Sequence, residues 1–357
     1  MNGSARPDET SPSLHGLATA VPTHWIDQSD AETIAGELFA PLTNDFDTLR
    51  PVFTNAGIER RYLAQPVEWY RTSRDWKERS DIYERAAVDL FCDAAESTLD
   101  RMGLAASEID AVVTVSSTGI ATPALDARAA ERLGLREDIM RVPVFGLGCA
   151  GGVCGLTIAA DLARAAPKRN VLLVAVELCS LAFRLDKPTK SNIVATALFG
   201  DGAASAVISS GHAEPRIRLG RGRQHTWPNT LSIMGWAVDP LGFDVIFDRA
   251  IPPFARRRLR PALEPMLDAW DYTPNMLQRM TFHPGGTKVL QAIEGAFDLD
   301  AGALDLEREV LKRYGNMSAP TVLFVLQRAL HRARPGHTLA SALGPGFTAA
   351  AIPIEVC

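Results

Sequence analysis

Arg141-Val-Pro-Val-Phe-Gly-Leu-Gly-Cys-Ala-Gly-Gly-Val-Cys-Gly-Leu-Thr-Ile-Ala-Ala-Asp-Leu-Ala163 decides the fold. It reads as an apolar strand over 142–145, a glycine-rich turn, and a helix whose Gly152, Gly155, Ala159 and Ala160 let a neighbour pack closely. Cys149 stands at the turn. A thiol between a strand and a helix N-terminus meets unpaired backbone N–H groups, which are expected to favour thiolate and make a nucleophile. The competing reading is a small buried hydrophobe, the usual state of a free cysteine. Catalytic partners elsewhere in the chain decide between them.

Around this stretch, strands and helices alternate. Helices are predicted over 30–49, 80–102, 126–133 and 192–198, and strands over 109–116, 170–176 and 203–209. The first strand starts near Leu14, residues 55–62 return in extended form, and 199–204 reads as a tight turn. The run Asn170-Val-Leu-Leu-Val-Ala-Val176 is apolar throughout, as a strand covered on both faces requires. After Gly211 the chain becomes rich in Pro, Arg and Gly, and a second half follows. Its helices are predicted near 252–270 and over 287–297, 306–314 and 320–333, with strands ending at His283 and over 338–343 and 347–356. The fold class is therefore α/β and layered, with a loose tail over 1–13 and two halves, 14–211 and 212–357. The halves share an order of elements without repeating in sequence.

Composition narrows the function. With 357 residues, 46% hydrophobic and 22% charged, the chain has the make-up of a globular enzyme. A net charge of −5 argues against general nucleic-acid binding. Two basic clusters stand out, Arg216, Arg218, Arg221 and Arg223, then Arg256, Arg257, Arg258 and Arg260. They read either as solvated surface or as a mouth attracting the phosphates of a carrier such as coenzyme A. Five cysteines without metal-ligand spacing fit a reducing, cytoplasmic setting, and no apolar run is long enough to insert stably in a membrane.

Two residues fit as partners of Cys149. His283, in Phe282-His-Pro-Gly-Gly286, ends a strand beside glycines that leave its imidazole open space, and reads either as a buried structural histidine or as a base that can take the thiol proton. Asn316, in Tyr314-Gly-Asn-Met-Ser318, reads either as a helix cap or as a neutral donor to an oxyanion.

Five segments in one order now carry a family resemblance: Gly148-Cys-Ala-Gly-Gly152, Leu198-Phe-Gly-Asp-Gly-Ala-Ala204, His283-Pro-Gly-Gly286, Tyr314-Gly-Asn-Met-Ser318 and Gly344-Pro-Gly-Phe-Thr348. The chain resembles type III polyketide synthases, the chalcone-synthase-like enzymes of the thiolase fold. The resemblance implies an αβαβα core of two similar halves and a catalytic set of Cys149, His283 and Asn316. Cys149 would take an acyl-CoA starter, and malonyl-CoA would lose carbon dioxide to extend it. CoA thioesters would be substrates, with no metal or redox cofactor. Phe199 matches the family's gatekeeper position and Val245 the second one. Gly285, Ser318 and Ala182 match positions at the substrate cavity.

Glu177-Leu-Cys-Ser-Leu-Ala-Phe183, Lys190-Ser-Asn-Ile-Val-Ala-Thr-Ala197 and Ser232-Ile-Met-Gly-Trp236 are similar to bacterial enzymes making alkylpyrones and alkylresorcinols. In those, residues matching Thr118, Thr122 and Cys179 line an alkyl tunnel, which implies a medium- or long-chain fatty acyl-CoA starter here. Arg50 and Arg60 are the expected contacts to CoA phosphates. The family is homodimeric, and the loop at Thr122 would reach toward the partner's cavity. Two alternatives stand beside this reading. One is a ketoacyl-acyl-carrier-protein synthase III, which shares the three residue types but not the His-Pro-Gly-Gly and Gly-Asn-Met-Ser motifs. The other is a catalytically silent thiolase-fold scaffold, which would not need all three.

Overall fold

The computed structural model describes residues 11–211 and 216–357. The tail expected over 1–13 falls mostly outside these residues, and Ser13 already opens the first strand. One sheet of ten strands dominates: β1 (Ser13–Ala20), β2 (Ala111–Val115), β3 (Met140–Val144), β4 (Val171–Leu178), β5 (Asp201–Ser209), β6 (Ile217–Leu219), β7 (Arg223–Thr226), β8 (Leu277–Phe282), β9 (Gly336–Gly344) and β10 (Thr348–Val356). Their order is β8-β9-β10-β6-β1-β5-β4-β2-β3, with β7 beside β10.

That order contains a repeat. In the first half β2 runs parallel to β4, β4 antiparallel to β5, and β5 antiparallel to β1. In the second half β8 runs parallel to β9, β9 antiparallel to β10, and β10 antiparallel to β6. The helix Gly151–Ala165 precedes β4, and the helix Ala319–His331 precedes β9 in the equivalent place. Strand β1 joins β6 through Ser13 and Arg218, so the two half-sheets form one continuous sheet.

The two equivalent helices pack against each other in the central core, where Val153, Leu156, Val322 and Leu326 are fully buried. Their approach is close because Gly152 has no side chain. A Cβ there would stand 2.3 Å from the carbonyl oxygen of Ala319 and 2.7 Å from a methyl of Val322. β4 is buried along all eight residues, as its unbroken apolar run requires.

Two expectations change, and one element is added. The turn expected over 199–204 is in fact the start of β5, and all nine β5 residues are buried. Its small residues serve packing, since a Cβ on Gly202 would come within 2.6 Å of the Met317 sulfur. The helix expected over 30–49 runs only Gln28–Phe39, then resumes as Phe46–Leu49 and Pro51–Asn55. Pro41 lies in the break, where it restricts the residue before it and lacks an N–H to donate. A hairpin of Met234–Asp239 and Gly242–Phe247 lies apart from the main sheet, although its strands lack a clean alternation. It turns at Pro240-Leu241, which is not a typical hairpin signal.

The helix contact gives a stability test. Gly152→Ala forces the helices apart or bends one of them, and should lower unfolding free energy by about 3 kcal/mol, the upper end of ordinary overpacking. Urea titration measures it, with Ala159→Gly as a control for helix propensity.

Candidate active site

The turn carrying Cys149 is a single 3-10 turn, Gly148–Ala150, leading into the helix Gly151–Ala165. Gly148 has φ +46°, and a Cβ on it would meet Pro345 at 2.7 Å. Gly344 has the same constraint, since its Cβ would lie 2.6 Å from that of Ala150. The Gly-Pro-Gly loop after β9 therefore presses on the cysteine turn, and glycine is needed on both sides.

His283 directly follows β8, and its backbone N–H donates to the Ser341 carbonyl of β9 at 2.9 Å. Asn316 precedes the helix Ala319–His331. Its backbone is tied across to the gate segment: Asn316 N–H donates to Leu198 O at 2.8 Å, and Gly200 N–H donates to Asn316 O at 3.0 Å. Its side-chain oxygen accepts from the Ser318 N–H at 2.8 Å, and its Nδ2 donates to the Gly285 carbonyl at 3.3 Å. Ser318 is held at φ +57°, an unusual backbone for a residue with a side chain.

Cys149, His283, Gly285 and Asn316 line one buried cavity of about 20 Å³, together with Phe247 and Ser341. Segments separated by more than a hundred residues thus converge. The repeat explains how: Cys149 and Asn316 precede equivalent helices, while His283 follows β8 as Ser116 and Ser117 follow β2.

Burial sets the electrostatics. It pushes the Cys149 thiol up to about 12, against opposing hydrogen bonds from Ser318 and Asn316, and the nearby Glu177 adds to the rise. Burial also pushes His283 down to about 3, and neither ring nitrogen has a partner among the described residues. Burial thus acts against the thiolate expected from the helix end, and it disfavours charge on both groups. A proton passing from thiol to imidazole creates opposite charges in one cavity, where each offsets the burial of the other.

A third titratable group, Glu177, had no role in the sequence reading. It lies on β4 and is fully buried, and its Oε2 accepts from Ser117 N–H at 2.9 Å and from Thr118 Oγ1 at 2.8 Å. Its other oxygen has no partner among the described residues, and burial pushes the carboxyl up to about 7. Ser117 Oγ in turn accepts from Gly146 and Gly148 N–H groups at 3.1 and 3.2 Å, linking this acid to the cysteine turn. One acid ending an apolar strand was the only signal for it.

The substrate-binding candidates divide. Phe199, Val245, Cys179 and Ala182 line an apolar crevice of about 80 Å³ that runs under the helix Gln28–Phe39. Thr118 instead spends its hydroxyl on Glu177 and on Leu178 N–H, and Thr122 is exposed before a cis proline. Neither lines that crevice. Two aromatics meet Phe199, Trp236 and Phe247, with ring centroids 6.1 and 6.5 Å away, and Phe247 stands nearest Val245 in sequence. It lies two residues beyond Val245, on the same face of the strand.

Phe247, Gly285 and Val289 also border a wider cavity of about 690 Å³ that opens outward, lined by Lys190, Arg249 and Lys288. Arg50 and Arg60, the expected phosphate contacts, do not line it. Arg50 pairs with Asp47 at 3.1 Å, and Arg60 pairs with Asp27 at 2.8 Å while stacking on Trp25. Carboxylates of their own side of the molecule satisfy both. No arginine of the two basic clusters lines the mouth, the crevice or the catalytic cavity either.

A buried cysteine, histidine and asparagine share one cavity at the ends of a duplicated α/β fold, a set suited to a nucleophile, its base and a neutral donor. Family models for the chalcone and stilbene synthases match residues 62–212 with their N-terminal domain and 219–354 with their C-terminal domain. A 1,3,6,8-tetrahydroxynaphthalene synthase of Streptomyces peucetius subsp. caesius is 38% identical, the alignment covering 94% of this chain and 91% of that one. A phloroglucinol synthase of Pseudomonas fluorescens is 28% identical over 84% of this chain and 86% of its own. The crystal structure of 1,3,6,8-tetrahydroxynaphthalene synthase from Streptomyces coelicolor, described as a bacterial type III polyketide synthase, superposes with a TM-score of 0.91 at 27% identity. That superposition covers 96% of this chain and 99% of the other. The chain belongs to the chalcone and stilbene synthase family, the type III polyketide synthases, and is an acyltransferase. Its fold is the α/β thiolase fold that the motifs implied. No helix among the described residues is long and apolar enough to cross a membrane.

The buried acid supplies a test. Glu177 titrates near 7 when folded against an ordinary 4.5, so its neutral form favours folding. Its contribution to stability is full below about 4.5 and is lost as pH rises through 7. Glu177→Gln should therefore flatten the fall of Tm across that window, leaving the falling slope of the similarly buried Asp201 opposed, below about 6.5, by the rising slope of His283. Melting curves at a series of pH values measure it.

Proposed function

We propose that this enzyme builds an alkylpyrone or alkylresorcinol on Cys149, from a medium- or long-chain fatty acyl-CoA and successive malonyl-CoA units. The observation that carries the proposal is the placing of Cys149, His283 and Asn316 in one buried cavity, with a cationic mouth outside it and an apolar crevice beyond Phe199.

Each residue has one task. His283 takes the thiol proton, and the thiolate attacks the starter thioester, releasing CoA. Malonyl-CoA then loses carbon dioxide, leaving an enolate, and the electron pair on its oxygen is met by His283 and by the Asn316 Nδ2 N–H that is not given to Gly285. The enolate carbon attacks the cysteine-bound acyl group, which leaves the extended chain on CoA and frees the thiolate. The thiolate takes the chain back, CoA departs with the proton held by His283, and the next round begins. CoA enters through the mouth, where Arg249 and Lys288 make no ion pair among the described residues and so are free to meet its phosphates. An aliphatic tail lies in the crevice, whose lining of Ile34, Ala35, Leu38 and Val245 offers it little but hydrocarbon. The working unit is a homodimer, and no metal or redox cofactor takes part.

A second reading has its own support. The relative at 38% identity is named for 1,3,6,8-tetrahydroxynaphthalene, which would make malonyl-CoA both starter and extender.

Purified protein, malonyl-CoA and acyl-CoA starters of graded length, with products identified by mass, separate the readings. Alkylated pyrones or resorcinols from long starters support the first; a naphthalene product from malonyl-CoA alone supports the second. Cys149→Ala should abolish either. A wild type that extends nothing while still binding malonyl-CoA returns the chain to the scaffold reading. At the mouth, Arg249→Ala with Lys288→Ala should raise KM for CoA thioesters about tenfold, the cost of roughly one charge-assisted contact. Thioesters of N-acetylcysteamine, which carry no phosphate, should be unaffected.

A further inference from the structure

The hairpin Met234–Asp239 and Gly242–Phe247 forms a wall common to all three cavities. Trp236 lies opposite Val245 in its register, and Met234 opposite Phe247, so these four share one face. Met234 and Phe247 line the catalytic cavity, Phe247 also lines the mouth, and Val245 lines the crevice. Trp236 and Phe247 both meet the Phe199 ring, at centroid separations of 6.1 and 6.5 Å. Among the described residues the hairpin pairs with no other strand, and a lone two-stranded ribbon is marginal in water. Something else must hold it.

The opposite face carries that hold. Asp244 lies opposite Ala237, and Asp239 opposite Gly242, on the side away from the cavities. Arg184, whose side chain is only 1% exposed, clasps two carboxylates with its fork: Asp186 at 2.6 and 2.8 Å, and Asp239 at 3.0 and 3.1 Å. Lys187 bridges Asp239 at 2.6 Å and Asp244 at 2.7 Å, so it touches both strands. Asn192 completes the joint, with Nδ2 donating to the Lys187 carbonyl at 3.0 Å and to Asp244 at 3.4 Å. Near the turn, Gly242 packs on Arg79 and Trp76, and Phe243 meets Trp76 edge-on at 5.1 Å. A planar guanidinium holding two carboxylates fixes direction as well as distance.

We infer that Arg184 and Lys187 are positioning residues that set the width of the passage between Phe199 and the Val245–Phe247 strand, and through it how far a chain is extended. The second part of this inference rests on the proposed polyketide synthesis; the first does not. The catalytic cavity alone is about 20 Å³, so a growing chain must find its room through this passage. Neither residue lines any of the three cavities, so both act through the hairpin.

The passage is measured by alkylating Cys149 in the whole protein with iodoacetamide and with maleimides of increasing N-alkyl length, following the Cys149 peptide by mass. Lys187→Met should change the rate ratio of long to short reagents about tenfold, as should Arg184→Lys, which keeps the charge and loses the fork. Lys187→Arg should restore the wild-type ratio. In the same variants malonyl-CoA decarboxylation should stay within about twofold, because the reacting groups are untouched, while the product distribution shifts by one or more malonyl units. An unchanged reagent ratio overturns the clamp, even if Tm has dropped. A changed ratio with an unchanged product distribution overturns its control of extension. A wild type that makes no polyketide overturns the functional reading instead, and the alkylation ratios still judge the clamp.

Discussion

Everything at the site depends on the contact between the helices Gly151–Ala165 and Ala319–His331. Gly152 lies against the Ala319 backbone, so the helix starts stand closer than any side chain at that position would permit. Cys149 immediately precedes one helix and Asn316 precedes the other. Their separation is therefore set by backbone packing inside the core, not by loop geometry. The Gly344-Pro345-Gly346 loop presses on the cysteine turn from the adjoining strand, and the pairing of Phe199 with Asn316 extends the constraint to the gate. A rigid duplicated core thus holds groups that must meet within hydrogen-bonding tolerances.

Burial is the second constraint, and it governs the chemistry. Burial disfavours charge on Cys149 and His283 in the cavity and on Glu177 in the strand beside them. In such a site a proton transfer or a forming oxyanion creates charge where burial otherwise disfavours it. Fixed donors then act on the new charge without water to compete. The helix terminus contributes to the same end but does not by itself ionise the thiol.

The motifs were legible because each has a local physical cause. The turn at Cys149 needs glycines for its backbone, His283 needs its following Pro-Gly-Gly to stay open, and the unbroken apolar run of β4 needs cover on both faces. Other features carried no local signal. Glycine and alanine over 201–204 look like a turn, yet they form strand because Met317 and the central helices leave no space for more. Arg50 and Arg60 look like free cations until Asp47 and Asp27 are found beside them, while Lys190, Arg249 and Lys288 are scattered in sequence and gather only at the mouth. The ion pairs that hold the hairpin join residues more than fifty positions apart, across elements with no shared pattern.

The amino-acid sequence by itself determined the class of fold, because periodicity and turn chemistry are properties of neighbouring residues, and it offered Cys149, His283 and Asn316 as candidates that the family resemblance joined into one set. The tertiary structure alone decided which charges are satisfied, which cavity each side chain faces and which protonation states are favoured. Those properties depend on dielectric surroundings and on partners brought together by packing, and neither is written in any one stretch of chain.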